Sequence, residues 1–165
     1  TSAADLVASL SQAMKDEASV MWQLRDAMVR QRASVAADNT EEIDASVQEV
    51  GRTLFTLAEA RKRTASVMSY LTGEEEPPLA QLELHLGAPL PLGLETARAE
   101  VRLAAQSVAH EAAINRNVLQ GAREAADTFL QELFSAGTDL AAVYHLGDRG
   151  DDGTGGPGLL FNRTA

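Results

Sequence analysis

Apolar residues recur along this chain at alternating spacings of four and three, the period of a helix seam that faces another helix. Leu10, Met14, Glu17, Met21, Leu24, Met28, Gln31 and Val35 form the first such series, six of the eight apolar. It predicts one long helix over about 3–37, with Val20 and Trp22 widening its stripe. Asp38-Asn39-Thr40-Glu41-Glu42 reads as a break and a restart, Asn39 capping the next helix while Glu42 reaches back to it. The second series is Ile43, Val47, Val50, Leu54, Leu57, Arg61, Thr64, Met68 and Leu71, seven of the nine apolar. It predicts a helix over 40–72, closed by Gly73 in a left-handed conformation. The short connection makes the two an antiparallel hairpin with arms of roughly 50 Å.

Glu74-Glu75-Glu76-Pro77-Pro78 cannot continue a helix, so 73–93 is expected to be a linker with a short helix over Leu79–Leu86. A third long helix follows over about 94–134. Its stripe of Leu94, Ala97, Val101, Ala104, Val108, Ala112, Asn115, Val118, Ala122, Ala125 and Phe129 is rich in alanine, which lets another helix approach closely. Near its end Leu119, Ala126, Phe129, Leu130, Leu133 and Phe134 cover more than the single stripe a packed helix needs. The surplus implies a second contact surface. Gly121 inside this segment marks a bend, a close helix approach or a tolerated surface position; Asn115 and Asn117 read as caps or as hydrogen bonds between layers. A break at Gly137 closes the helical bundle at 1–137 and leaves 138–165 as a flexible tail. In that tail Asp139–Leu146 is a helical turn or a short strand, and Tyr144 is either core or an aromatic anchor for a partner. The fold class expected is all-α: an elongated antiparallel hairpin and bundle of three long helices, a short connecting helix and the tail.

Composition narrows what such a bundle does. Aromatics are only 4% of 165 residues, so the core is Leu, Val, Met and Ala. A formal net charge of −10 argues against nucleic acid, whose phosphates need Lys and Arg, and favours a protein partner. With no cysteine, disulfides, thiolate catalysis and Cys-ligated zinc are excluded. No signal peptide or membrane-spanning run is visible, so a cytoplasmic location is expected.

Candidate chemistry is sparse. A di-iron bundle needs Glu-x-x-His pairs, and none of His85, His110 and His145 has a Glu three residues before it. Glu17 is a candidate buried carboxylate without a second one on its seam. Asp148, Asp151 and Asp152 among glycines lack the spacing and closing Glu of a calcium loop. Arg149-Gly150-Asp151 and Asn162-Arg163-Thr164 match short motifs by letters alone. No metal, cofactor or catalytic residues are expected, and the chain is not read as an enzyme.

Taken in order, these features resemble the FlgN family of flagellar type III export chaperones. The resemblance is carried by the two amphipathic helices, the "LAEARKRTASVMSYL" segment and the proline-containing linker. It continues through Asn117-Val118-Leu119, Tyr144-His145-Leu146-Gly147 and the closing "LLFNRTA". The Asp/Gly spacer before that ending is longer than the family pattern. The resemblance implies a cytosolic chaperone for hook-associated proteins of the FlgK/FlgL type. It would cover a client's C-terminal amphipathic segment, prevent premature association and deliver the client to an export gate of the FlhA type. The groove for that segment would comprise Asn117, Leu119, Ala122, Ala126, Phe129, Leu130, Leu133 and Phe134, and Tyr144 would meet the gate. The same exposed seam can instead pair two copies into a homodimer. The competing readings are a structural coiled-coil or scaffold protein, and a sister flagellar chaperone with another client.

Overall fold

A computed structural model describes residues 2–75 and 81–146, and the burial of side chains through residue 135. All its elements are helices: α1 (Ala3–Ala36), α2 (Thr40–Thr72), α3 (Leu82–Leu86) and α4 (Leu92–Leu146). The chain divides into two compact units, Thr1–Ala122 and Arg123–Ala165. The fold is all-α, and the described residues include three long helices of 34, 33 and 55 residues.

Local chemistry fixes most boundaries. Ser2 caps α1: its Oγ accepts from the Asp5 amide at 3.2 Å, and the Asp5 carboxylate accepts from the Ser2 amide at 2.9 Å. Asn39 caps α2 as expected, its Oδ1 accepting from the Glu42 amide at 3.2 Å. The expected return bond from Glu42 is replaced, because the Asn39 amide donates to the Ser34 carbonyl at 3.3 Å. Asp38, at φ 51°, turns the chain between the helices, a conformation that Asp tolerates better than most residues. Gly73 closes α2 at φ 76°, its amide donating to the Ser69 carbonyl at 2.8 Å.

In the first unit α1 and α2 form the predicted antiparallel hairpin, and the first half of α4 lies along it. Ser11 Oγ donates to the Gly93 carbonyl at 3.1 Å and Arg32 Nη1 to Glu111 Oε2 at 2.7 Å. Those two contacts set α4 parallel to α1. Two apolar clusters form the core. One gathers Leu10, Met14, Met68, Leu82, Leu94 and Ala97, with Leu82 of α3 fully buried as a plug. The other gathers Ala18, Met21, Leu24, Leu57 and Ala104. Between the clusters along α1 sits Glu17, which accepts from Thr64 Oγ1 at 2.9 Å and lies 3.4 Å from Arg61 Nε.

The seam of α1 buries Leu10, Met14, Glu17, Met21 and Leu24 and half-buries Met28, Gln31 and Val35, in agreement with the periodicity. The seam of α2 is corrected at three positions. Val47 and Leu54 are 54% and 48% exposed, and Arg61 is exposed too; Ser46, Thr53 and Ala60, one residue earlier, face inward. Their hydroxyls are satisfied within α2: Ser46 donates to the Ile43 carbonyl at 2.7 Å and Thr53 to that of Glu49 at 2.8 Å.

The expected break at Gly137 is also corrected, because α4 continues to Leu146. A single glycine costs a helix only about 1 kcal/mol, and helix formers Leu140, Ala141 and Ala142 follow it. Asp139–Leu146 is therefore helix. Residues 76–80 of the linker and the whole of 147–165 lie outside the described part.

Candidate partner-binding surface

Near Asn115 the packed part of α4 makes a polar contact with α1. Asn115, buried, donates its Nδ2 to the Met28 carbonyl at 2.7 Å and to Gln31 Oε1 at 3.2 Å. Its Oδ1 accepts from Arg32 Nη1 at 2.9 Å, the same nitrogen that holds Glu111. The interlayer role read for Asn115 is correct. The Arg32 hydrogen bond, helped by the charges of Arg32, Arg25 and His110, holds the Glu111 carboxyl below its ordinary range. At the hairpin turn Arg30 does the same to Glu49, with an Arg30 Nη2 to Oε1 distance of 2.6 Å.

After Val118 the environment of α4 changes: every side chain from Leu119 to Ser135 is exposed. The large apolar ones are Leu119 at 42%, Phe129 at 63%, Leu130 at 47%, Leu133 at 56% and Phe134 at 72%. A helix advances about 100° per residue. On that count Leu119, Ala122, Ala126, Phe129, Leu130 and Leu133 share one face, which Phe134 extends to a sector of roughly 140°. The candidate residues from Leu119 to Phe134 thus share one face of a single helix. Asn117 is the exception: it precedes Leu119 by about 200° of rotation and points to the opposite side. Gly121 also lies off the face, and a Cβ there would meet nothing within 4 Å, so close helix approach does not explain it.

Tyr144 lies on the final turns of α4, and its side chain falls outside the described part. So do the spacer and the closing Leu159-Leu160-Phe161.

Two features escaped the sequence reading. A cavity of about 500 Å³ opens between the first turns of α1 and the connection into α4, lined by Val7, Ser11, Leu86, Pro89 and Leu94 among others. It forms where residues some 80 positions apart meet, so no local pattern announces it. The second is the exposed apolar strip of Val47 and Leu54 on α2, visible only once the true seam is known. Among the described residues no group of three or more His, Asp or Glu side chains can hold a metal ion. Likewise, no helix there is long and apolar enough to cross a membrane. The chemistry on offer is apolar contact framed by charge. No family model, curated protein or solved structure matches the chain.

Proposed function

We propose that the protein is a binding platform for an amphipathic helical segment of another protein, received on the apolar face of α4 from Leu119 to Phe134. The observation that carries this reading is the continuous exposure of that face on a helix whose preceding turns are packed against α1. Helix-in-groove and helix-on-helix recognition is read through anchors at i, i+3, i+4 and i+7, and Ala126, Phe129, Leu130 and Leu133 have that spacing. Most helix stability in proteins comes from packing of an amphipathic face, so a partner here also stabilises this part of α4.

The client class comes from the resemblance to FlgN chaperones. In that reading the protein holds the C-terminal segment of a FlgK/FlgL-type hook-associated protein in the cytoplasm. It keeps the segment from pairing early and passes it to an FlhA-type export gate through the region of Tyr144. Because the client has to be released, the affinity is moderate. The test is a pull-down with the full chain from the source cells: the proposal expects a hook-associated protein in the eluate. Capture of other flagellar clients alone would move the assignment to a sister chaperone, and capture of no flagellar protein would defeat it.

A further inference from the structure

Besides the seam that faces α1, α2 carries a second one on its outer side. Asp44, Gln48, Gly51, Phe55, Ala58 and Lys62 follow at spacings of four and three, and all six are exposed. At about 100° per residue they fall within a sector of roughly 80°. That sector lies on the far side of α2 from buried Ser46, Leu57 and Met68. Phe55 is 71% exposed, and one turn before it Gly51 has nothing within 4 Å of where a Cβ would stand. A glycine costs a helix interior about 1 kcal/mol relative to alanine, and no close approach within the chain calls for one here. A large knob thus stands next to an empty notch.

Charge is graded along the same helix. Glu41, Glu42, Asp44 and Glu49 lie in its first half, and Arg61, Lys62 and Arg63 in its second. Arg61 and Arg63 reach Glu17 and Asp16 of α1, at 3.4 and 3.6 Å. Asp44 and Lys62 make no ion pair among the described residues. A second copy laid antiparallel answers both features at once. With Phe55 level with Gly51 of that copy, the same register sets Lys62 level with its Asp44 and Ala58 with its Gln48. Every layer joins a large side chain to a small one or a cation to an anion. A parallel, in-register pair would stack Phe55 on Phe55 and set Lys62 against Lys62.

The borders follow the same symmetry, each meeting its own kind. On one side Leu54 lies beside Leu54 of the second copy and Val47 beside its Ala58, which covers the exposed apolar strip of α2. On the other side the two Arg52 residues approach each other. Each stands roughly 7.5 Å along the axis from the level of Glu59 of the opposite copy, within reach of an arginine. Each also has Glu49 of its own chain nearby, whose carboxyl Arg52 helps to lower. The residues of α2 that pack on α1 and α4 point away from this contact, so neither helix obstructs it.

We propose that two copies of the chain pair antiparallel through the outer face of α2, Phe55 over Gly51 and Lys62 against Asp44. The pairing uses no residue of α4 and does not rest on the client reading. From Asp44 to Lys62 the face is roughly 27 Å long and one helix wide, below the size of stable complexes, so the pair is weak and forms at high protein concentration.

The chain has no cysteine, so introduced thiols report the register cleanly. Gln48→Cys and Ala58→Cys are made in the full chain and oxidised singly and as an equal mixture, with Ser19→Cys on the exposed side of α1 as the background. The mixture should form several-fold more disulfide-linked dimer than either variant alone. Residues 48 and 58 of opposite copies are level, whereas identical positions are about 15 Å apart along the axis. Sedimentation of the unmodified protein from about 10 µM to about 1 mM should show its mass rising toward twice that of the monomer. Gly51→Leu fills the notch while favouring the helix, so it should stay folded and monomeric. Lys62→Glu should weaken the pair several-fold, and adding Asp44→Lys to it should restore the association. The inference is overturned if Gln48→Cys or Ala58→Cys alone links as well as the mixture, or if the mixture does not exceed the Ser19→Cys background. It is equally overturned if the unmodified protein stays monomeric throughout, if Gly51→Leu pairs as well as the unmodified chain, or if the charge swap fails to restore pairing.

Discussion

Arg32 Nη1 lies 2.9 Å from Asn115 Oδ1, a contact that ties α1 to α4 across buried Asn115. Asn115 also donates to the Met28 carbonyl, so its amide is satisfied on both sides. Asn115→Leu leaves the Arg32 guanidinium short of an acceptor and the Met28 carbonyl without the Asn115 donor. A loss of about 1–3 kcal/mol is expected, measured by urea unfolding of the full chain. An unchanged midpoint would mean that this contact does not fasten α4.

The same cluster sets a pH dependence. Glu111 and Glu49 are held below the ordinary carboxylate range by Arg32 and Arg30, and Asp5 by its bonds with Ser2. A carboxylate whose folded pKa is depressed adds stability above its unfolded pKa, and that stability is lost as pH falls through the folded value. The unfolding midpoint should therefore be flat near neutrality and fall once pH drops below the normal Glu and Asp range. Glu111→Gln should make that acid decline shallower. An equal decline in the variant would remove Glu111 from the account.

The corrected seam of α2 separates two leucines that look alike in sequence. Leu57→Ala opens the second core cluster and should cost about 2–5 kcal/mol, whereas Leu54→Ala, on the solvent side, should stay within about 0.5 kcal/mol. Thermal melts of the two variants, read side by side, decide the register. Equal losses would restore the expected one.

Much of this arrangement was legible from periodicity. The seam of α1 from Leu10 to Val35, the Asn39 cap and the Gly73 stop all rest on local rules that the structure obeys. The α2 register was misread because counting apolar residues selects Val47 and Leu54, while the positions that face inward are Ser46, Thr53 and Ala60. The end of α4 was misread because Gly137 was taken as a stop, where the following Leu and Ala residues carry the helix on. The surplus apolar face was legible as a pattern, yet its exposure depends on where α1 ends relative to α4. Asn117 was grouped with it through the resemblance of Asn117-Val118-Leu119 to the family pattern, which helix rotation undoes.

Gly121 tests the helix independently of any partner. Nothing lies within 4 Å of a Cβ placed there, so Gly121→Ala should raise stability by up to about 1 kcal/mol. Circular dichroism melts should show a higher midpoint. A lower midpoint would point to a bend at that position.

The central claim is that the α4 face receives an amphipathic helix. The most direct measurement is a calorimetric titration of the C-terminal segment of a FlgK/FlgL-type protein into the full chain, alongside Leu130→Asp and, as a control, Phe55→Asp on the exposed side of α2. The account predicts binding to the unmodified protein and to Phe55→Asp, with affinity reduced at least tenfold, about 1.4 kcal/mol, in Leu130→Asp. Equal binding by all three proteins, with helix content unchanged, would contradict it.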